Sequence, residues 1–227
     1  MENMIKVDIA IVGGGAAGIV SAITAAGRRK RVLILEKGPK LGRKILISGN
    51  GRCNVTNINA DKMGHYHTKD RDFIHGIIEK FSLEKTISFF SNLGIEFVEE
   101  KRGRLFPRSN QAQSVVDVLQ DRIKLLNVEV VLNCKVLEIK KNSGVFIIKT
   151  GEKELFAAKN VILASGGVSA EKVGGDGSGL EIASRFGHDI STLHPGLVPL
   201  KSPLNYLKRI KGVKTVAVVK EGGSMQK

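Results

Sequence analysis

The sequence contains no tryptophan and only two cysteines, Cys53 and Cys134, among its 227 residues. Two cysteines cannot build a disulfide framework, and such sparse cysteine use is typical of a reducing compartment, so the predicted localisation is cytoplasmic. Charges at Glu2, Lys6 and Asp8 interrupt any apolar segment of the kind found in a signal peptide. Hydrophobic residues make up 42% of the chain, which is enough for one large domain or two small ones.

Acidic residues are also scarce, with 22 against 36 basic residues, so the net charge is +14. The basic residues lie along the whole chain, in short clusters at 28–31, 43–44, 101–104 and 208–211. Only two tyrosines accompany them, and no nucleic-acid-binding motif appears. We therefore expect a solvated basic surface, part of which holds an anionic cofactor or substrate. The predicted partner is a small-molecule substrate rather than nucleic acid or a membrane, and a basic nucleic-acid-binding protein remains an alternative.

A glycine motif, G-x-G-x-x-G, occupies Gly13, Gly15 and Gly18 and follows an apolar run that predicts a strand over Ile9 to Val12. Gly13 permits a tight turn, Gly15 lets a pyrophosphate approach the backbone, and Gly18 lets the following helix pack against the strand. The free N–H groups at the start of that helix attract phosphates. The pattern predicts a dinucleotide-binding βαβ unit.

The βαβ unit is completed by a second predicted strand, Val32 to Leu35, that ends on Glu36. Glu36 is suited to accept hydrogen bonds from ribose hydroxyls and to repel a 2′-phosphate, so the motif favours FAD or NAD over NADP. An unrelated glycine-rich turn is one alternative. A second alternative is a membrane span, because the segment from Ile9 to Gly27 carries no charge, although its glycines argue against a span.

The segment 38–57 is rich in glycine, asparagine and basic residues and is predicted to be a long functional loop. Its cations Arg43, Lys44 and Arg52 suit a phosphate, and a solvated basic loop is the alternative. The remaining pattern predicts helices over 73–81, 83–93, 111–126 and 180–186. It predicts strands over 95–99, 129–132, 135–140, 145–149, 160–164, 197–200 and 213–219. The strand at 160–164 is expected to be buried on both faces.

Four segments closely resemble the HI0933-like, or BaiN-type, family of bacterial flavoproteins. The most specific is GRKILISGNGRCNVTN at 42–57. The others are GRLFPRSNQAQSVVDVL at 103–119, VILASGG at 161–167 and PGLVPL at 195–200. The resemblance covers nearly the whole chain. It implies an α/β fold, a three-layer FAD-binding Rossmann-like domain over 1–194 that lacks its C-terminal part. It also implies the start of an inserted β-barrel domain over 195–227.

The resemblance implies FAD as the cofactor, with NAD(P)H as a candidate electron donor. Together with the glycine motif, it predicts one cofactor-binding site with no metal. The predicted residues are Gly13, Gly14, Gly15, Ala16, Ala17, Gly18, Glu36, Lys37, Arg43, Lys44, Ser48, Gly49, Gly51, Arg52, Cys53, Asn54, Val136, Ala164, Ser165, Gly166 and Gly167. The resemblance places the loop around Ser48, Gly49, Gly51 and Arg52 near the pyrophosphate and the flavin ring. It places Val136 on the strand whose backbone meets the adenine.

The chain departs from the family pattern at a second glycine-rich turn. The usual G-S-T-G-D-G is here GGDGSG, so Ser178 stands at the aspartate position and Asp176 lies two residues earlier. The family's closing C-terminal glycine-rich segment is also absent from these residues. We therefore expect the chain to be a piece of a longer protein, and the alternative is a short protein with a disordered tail.

The remaining candidate residues favour no specific catalytic role, and no catalytic residue is predicted. Cys53 is either a packed hydrophobe or a thiol beside the flavin. His65 and His67 lack the companions that a metal site needs, and His188 and His194 are candidate proton donors. The predicted function is a flavin-dependent oxidoreductase that transfers hydride through bound FAD to or from a small organic substrate. The alternative is a non-catalytic, truncated FAD- or nucleotide-binding fragment.

Overall fold

The computed structural model describes residues 4–151 and 155–196, together with residue 209. The chain divides into two compact units, Met1–Ile190 and Ser191–Lys227. The domain boundary expected between residues 194 and 195 remains a prediction. The strands predicted at 197–200 and 213–219 lie outside the described residues.

The glycine motif lies where the sequence pattern places it, between a strand and a helix. Strand β1 (Ile5–Val12) runs into the turn, and helix α1 (Ala16–Ala26) leaves it. Strand β2 (Val32–Leu35) returns parallel to β1, with Ile9 opposite Val32, and all of its residues are buried. The segment proposed as an alternative membrane span is therefore divided between β1 and α1.

The main sheet has six strands in the order β6-β2-β1-β9-β8-β7. The first four of these strands are parallel, whereas β8 pairs antiparallel with both of its neighbours. The other strands of this sheet are β6 (Glu129–Val131), β7 (Val136–Asn142), β8 (Val145–Thr150) and β9 (Leu155–Leu163). A parallel sheet connected through a helix confirms the α/β, Rossmann-like prediction.

Each face of the main sheet has its own hydrophobic core. On one face Ile11 packs with Ile19 of α1 and Val115 of helix α5 (Ala112–Leu125). The opposite core joins Ile148 and other sheet residues to Ile182 of helix α6 (Ser178–Arg185). Within the part of the chain that the structure describes, no helix is long and apolar enough to cross a membrane.

A smaller antiparallel sheet lies beside the main one, with the order β3-β5-β4. Two helices lie between β3 and β4 in the chain. Asp70 begins the first by accepting a hydrogen bond from the N–H of Phe73, and Ser82 begins the second by accepting one from Lys85. The elements are β3 (Thr56–Asn57), α3 (Arg71–Lys80), α4 (Leu83–Ser91), β4 (Phe97–Glu100) and β5 (Arg104–Pro107).

Two local predictions were wrong. The segment 38–57 is not a loop throughout, because it contains the short helix α2 (Arg43–Ile47) and a 3₁₀ turn at Ser48–Asn50. The burial of Ile45 in the core shared with α5 stabilises α2, and its N-cap, Gly42, offers no side-chain signal. Strand β9 begins earlier than predicted, and Leu163 is 39% exposed at its end rather than buried, because the strand ends at an open cleft.

Candidate functional site

A cleft of about 400 Å³ opens at the carboxyl ends of β1, β2 and β9. In parallel α/β sheets this edge is where ligands bind, because helix N-termini and loops converge there. One wall is the glycine turn that joins β1 to α1, and the other is the segment that follows β9. The cleft is large enough to hold a substantial part of a dinucleotide.

The three glycines of the motif have different surroundings. Gly13 has a φ of +107°, and a Cβ there would lie 2.6 Å from the carbonyl oxygen of Ala164. A Cβ on Gly18 would overlap the carbonyl oxygen of Gly13, so this glycine permits the close packing of α1 against the turn. A Cβ on Gly15 would meet nothing within 4 Å. Gly15 therefore leaves a niche open beside the first turn of α1.

Backbone N–H groups of the first turn of α1 line the same niche. The helix begins with the hydrogen bond from the Ile19 N–H to the Gly15 carbonyl at 2.9 Å, so the N–H groups of Ala16 and Ala17 have no acceptor inside the helix. Both residues line the cleft. Free N–H groups and the positive end of the helix dipole suit an anion such as a diphosphate.

Glu36 makes contacts that the sequence did not predict. Its Oε2 accepts a hydrogen bond from the N–H of Gly14 at 2.6 Å, and its Oε1 accepts one from the N–H of Gly38 at 2.6 Å. The carboxylate thus holds the glycine turn to the segment after β2. Because a carboxylate can accept about four hydrogen bonds, Glu36 keeps acceptor capacity for ribose hydroxyls.

Three basic side chains lie between the two walls of the cleft, and two of them bond to the segment that follows β9. Lys37 Nζ lies 2.6 Å from Asp176 Oδ1, and Arg43 Nη2 donates a hydrogen bond of 2.8 Å to the carbonyl oxygen of Lys172. Lys44 Nζ lies 3.1 Å from the position that a Cβ would take on Gly175. Lys37, Arg43 and Lys44 all line the cleft.

Asp176 and Ser178 act together at the turn that departs from the family pattern. Asp176 Oδ1 accepts hydrogen bonds from the hydroxyl of Ser178 at 2.8 Å and from its N–H at 3.1 Å. Lys37 holds the pKa of the Asp176 carboxyl well below its usual range, and the two bonds from Ser178 act in the same direction. The carboxylate is therefore charged at neutral pH, and it lies in the turn between Gly174 and Ser178, which both line the cleft.

The cleft brings together thirteen of the predicted residues. They are Gly13, Gly14, Gly15, Ala16, Ala17, Glu36, Lys37, Arg43, Lys44, Val136, Ala164, Ser165 and Gly166. Their roles toward a cofactor remain predictions. The lining also contains residues that the sequence analysis did not assign to the cofactor site, and they come from several separate elements. These are Val12, Leu35, Lys40, Cys134, Lys135, Leu163, Val173, Gly174, Ser178 and Ile182.

The other predicted residues lie outside the lining of this cleft. Gly18 serves the packing of α1, and Arg52 pairs with Glu100 of β4 at 2.6 Å. The remaining ones are Ser48, Gly49, Gly51, Cys53, Asn54 and Gly167.

Burial raises the pKa of the Cys53 thiol, and a hydrogen bond with Ser48 only partly opposes this effect. Since the thiolate is the reactive form, the environment favours the packed-hydrophobe interpretation of Cys53.

The four candidate histidines are all exposed and none of them lines the cleft. His65 ends a 3₁₀ turn, His67 follows it, and His188 lies just after α6. Over residues 4–151 and 155–196, no group of three or more histidine, cysteine, aspartate or glutamate side chains could hold a metal ion.

The fold and the cleft define a nucleotide-binding domain of the Rossmann class, with its glycine turn at the carboxyl edge of a parallel sheet. The model of the HI0933-like protein Rossmann domain matches residues 7–221, and the chain belongs to this family.

Two curated relatives match most of this chain. It is 38% identical over 213 residues to a 3-dehydro-bile acid delta(4,6)-reductase of Clostridium scindens, a match that covers 93% of this chain and 51% of that protein. It is 33% identical over 219 residues to the ribosomal RNA dihydrouridine synthase of Escherichia coli, covering 95% of this chain and 54% of that one. The chain spans about half the length of these relatives.

Solved structures show the same fold at low sequence identity. A 3-ketosteroid-delta4-(5alpha)-dehydrogenase from Rhodococcus jostii superimposes with a TM-score of 0.58 and 16% identity, covering 72% of this chain and 46% of that one. The open conformation of a flavocytochrome c3 fumarate reductase gives a TM-score of 0.55 and 19% identity, covering 80% of this chain and 40% of that one.

Proposed function

We propose that the protein is a flavin-dependent oxidoreductase that binds FAD in the cleft and transfers hydride to or from an organic substrate. The observation that carries the proposal is the open niche at Gly15, next to the free N–H groups of Ala16 and Ala17. Such a niche suits a diphosphate. Two relatives of the chain are a 3-dehydro-bile acid delta(4,6)-reductase and a ribosomal RNA dihydrouridine synthase.

Different residues of the cleft suit different parts of a bound dinucleotide. The N–H groups of Ala16 and Ala17 would bind the diphosphate, and Arg43 and Lys44 would offset its charge. Glu36 would accept a hydrogen bond from the adenosine ribose with its remaining lone pairs. The apolar side chains of Leu163, Val136 and Ile182 would exclude water from the rings. When bound, the flavin would supply the hydride-transfer chemistry, which no protein side chain provides.

The names of the two relatives suggest the class of substrate. Both a 3-dehydro bile acid with delta(4,6) unsaturation and a uracil base contain a carbon–carbon double bond conjugated to a carbonyl group. We propose that the substrate carries the same unit, because hydride adds most readily to the β-carbon of a double bond that a carbonyl group activates. A proton from solvent at the α-carbon would complete the reduction. A small-molecule enone is the favoured substrate, a uridine in RNA is the alternative, and NAD(P)H is the proposed donor in the cytoplasm.

A second candidate function is a non-catalytic nucleotide-binding domain. It is favoured by the absence of histidine from the cleft lining in the part of the chain that the structure describes. This candidate predicts that FAD or another nucleotide binds without turnover.

The test is purification of the full natural chain that contains these residues, followed by an absorbance spectrum and anaerobic reduction. We expect the bands of an oxidised flavin, bleaching by NADH or NADPH, and reoxidation by a steroid enone. If uridine-containing RNA reoxidised the flavin and the steroid enone did not, RNA modification would be the function. A yellow protein that no donor or acceptor turns over would support the binding domain, and a protein without nucleotide would overturn the proposal.

A further inference from the structure

The segment after α2 has an unusual backbone. Gly49 and Gly51 have φ values of +55° and +80°, and the non-glycine residues Asn50 and Cys53 have φ values of +59° and +62°. Asparagine adopts the left-handed conformation readily, whereas for Cys53 it is unfavourable and persists only where the surrounding contacts impose it. Ser48–Cys53, which we call the left-handed loop, is therefore held by specific interactions.

Arg52 makes the side-chain contacts that hold this loop. Its guanidinium carbon lies 4.2 Å from the centre of the Phe106 ring, and its Nη1 lies 2.6 Å from Glu100 Oε1. Longer hydrogen bonds join Nη1 to Asn110 Oδ1 at 3.4 Å and Nε to the carbonyl oxygen of Gly49 at 3.4 Å. A planar guanidinium can stack on a ring and bond at its edge at the same time, which an ammonium group cannot do.

Backbone hydrogen bonds connect the same loop to the rest of the fold. The N–H of Cys53 donates to the carbonyl of Ser48 at 3.1 Å, and the N–H of Ala112 donates to the carbonyl of Gly51 at 2.8 Å. The loop begins where α2 ends, and α2 carries Arg43 and Lys44 into the cleft. The loop therefore lies directly after the short helix that carries these two cations.

We propose that Arg52 is a positioning residue that fixes the left-handed loop, and through it α2, rather than a residue that contacts the cofactor. Its charge is already paired with Glu100, and it does not line the cleft. The consequence for cofactor affinity rests on the proposed function, whereas the consequence for the loop does not.

Arg104 is a matched control for Arg52. It contacts the same ring and the same carboxylate, with its guanidinium carbon 5.6 Å from the Phe106 centre and its Nη2 3.7 Å from Glu100 Oε2. Its Nε donates to the carbonyl of Lys101 at 3.1 Å, and among the described residues no hydrogen bond or ion pair joins it to the left-handed loop. Replacing either arginine by alanine therefore removes one positive charge beside the same ring and carboxylate, although the contacts of Arg104 are longer, and only Arg52→Ala is expected to release the loop.

The experiment compares Arg52→Ala, Arg52→Lys and Arg104→Ala in the full natural chain. Hydrogen exchange of the Gly51 and Cys53 amides, measured without added cofactor, reports how firmly the loop conformation is held. Titration with FAD reports the affinity of the cleft for the cofactor. For Arg52→Ala we expect amide exchange and the FAD dissociation constant both to rise about tenfold, as expected when charge-assisted hydrogen bonds are lost. Arg104→Ala is expected to stay within about twofold of the wild type, and Arg52→Lys to recover only part of the loss.

Three outcomes would overturn the proposal. Unchanged loop exchange in both Arg52 variants would show that the loop does not depend on this side chain. Equal effects of Arg52→Ala and Arg104→Ala would show that the loss follows from removing either cation beside Phe106 and Glu100, and not from the contacts that Arg52 alone makes with the loop. A large loss of FAD affinity with normal loop exchange would make Arg52 a direct cofactor contact. If the wild type bound no FAD, the proposed function would fail, while loop exchange would still decide the role of Arg52.

Discussion

Lys37 and Asp176 form an ion pair, with 2.6 Å between Nζ and Oδ1, that joins the two walls of the cleft. Lys37 directly follows Glu36 after β2, and Asp176 belongs to the turn before α6. The two side chains are only 24% and 31% exposed, so salt screens this pair less than it screens surface pairs. We expect the pair to restrict the opening of the cleft.

Replacing Asp176 by Asn should speed the release of bound FAD about two- to fivefold, the effect expected of a partly exposed ion pair. The release rate of the wild type should also rise with salt more steeply than that of the variant. Stopped-flow displacement of the flavin measures both rates. The control is Glu129→Gln, which removes the remote pair with Arg31 at 3.6 Å. An equal effect of the control would contradict the role of the cleft pair.

The same ion pair makes stability depend on pH. The pKa of Asp176 is lowered in the folded state, mainly by the hydrogen bond from Lys37, so the charged form stabilises the fold. The stability advantage of the wild type over Asp176→Asn should be complete above about pH 4, near the pKa of an unfolded aspartate, and should shrink as the pH falls further. Urea unfolding of both proteins at several pH values measures this difference in the free energy of unfolding. An advantage that grew toward acid pH would exclude this explanation.

Substitutions at Gly15 and Gly18 should have separate effects, the first on cofactor binding and the second on the free energy of unfolding. Gly15→Val places methyl groups in the open niche and should abolish FAD binding, while the free energy of unfolding changes little. Gly18→Ala forces its Cβ onto the carbonyl oxygen of Gly13 and should lower the free energy of unfolding by about 1–3 kcal/mol. Thermal unfolding and FAD titration of both variants distinguish these effects. Stoichiometric FAD in Gly15→Val would refute the assignment of the niche.

Glu36 should contribute to stability as well as to binding. Glu36→Ala leaves the N–H groups of Gly14 and Gly38 without their acceptor and should lower the free energy of unfolding by about 1–3 kcal/mol, even without cofactor. Glu36→Gln keeps one acceptor oxygen and should lose less. Denaturant unfolding of the protein without cofactor measures both changes. A variant that lost only FAD affinity would show that the carboxylate serves the ribose alone.

Cys53 should react slowly with thiol reagents in the folded protein. Its side chain is buried, and burial raises the pKa of the thiol, so little thiolate is present near neutral pH. Labelling followed by peptide mass spectrometry should show modification of Cys53 mainly after unfolding, and Cys53→Ala should retain turnover. Rapid labelling of the folded protein, or loss of turnover with FAD still bound, would restore the reactive-thiol interpretation.

The βαβ unit was predictable because its information is local. Gly13, Gly15 and Gly18 mark a turn whose geometry depends on a few neighbouring residues, and the apolar runs on either side fix β1 and β2. The short helix α2 was not predictable, because its N-cap, Gly42, carries no capping side chain and Ile45 gains its burial from α5, far along the chain.

The residues of the candidate site show the same division between local information and contacts of distant segments. The sequence alone determined the α/β class, the position of the glycine turn and the acidic residue at the end of β2, since each follows from periodicity and short-range steric rules. Only the tertiary structure decided that Lys37 pairs with Asp176 and that Arg52 pairs with Glu100. Such pairings join segments far apart in the chain, and a charged side chain carries no signal of its partner until the sheet brings the two together.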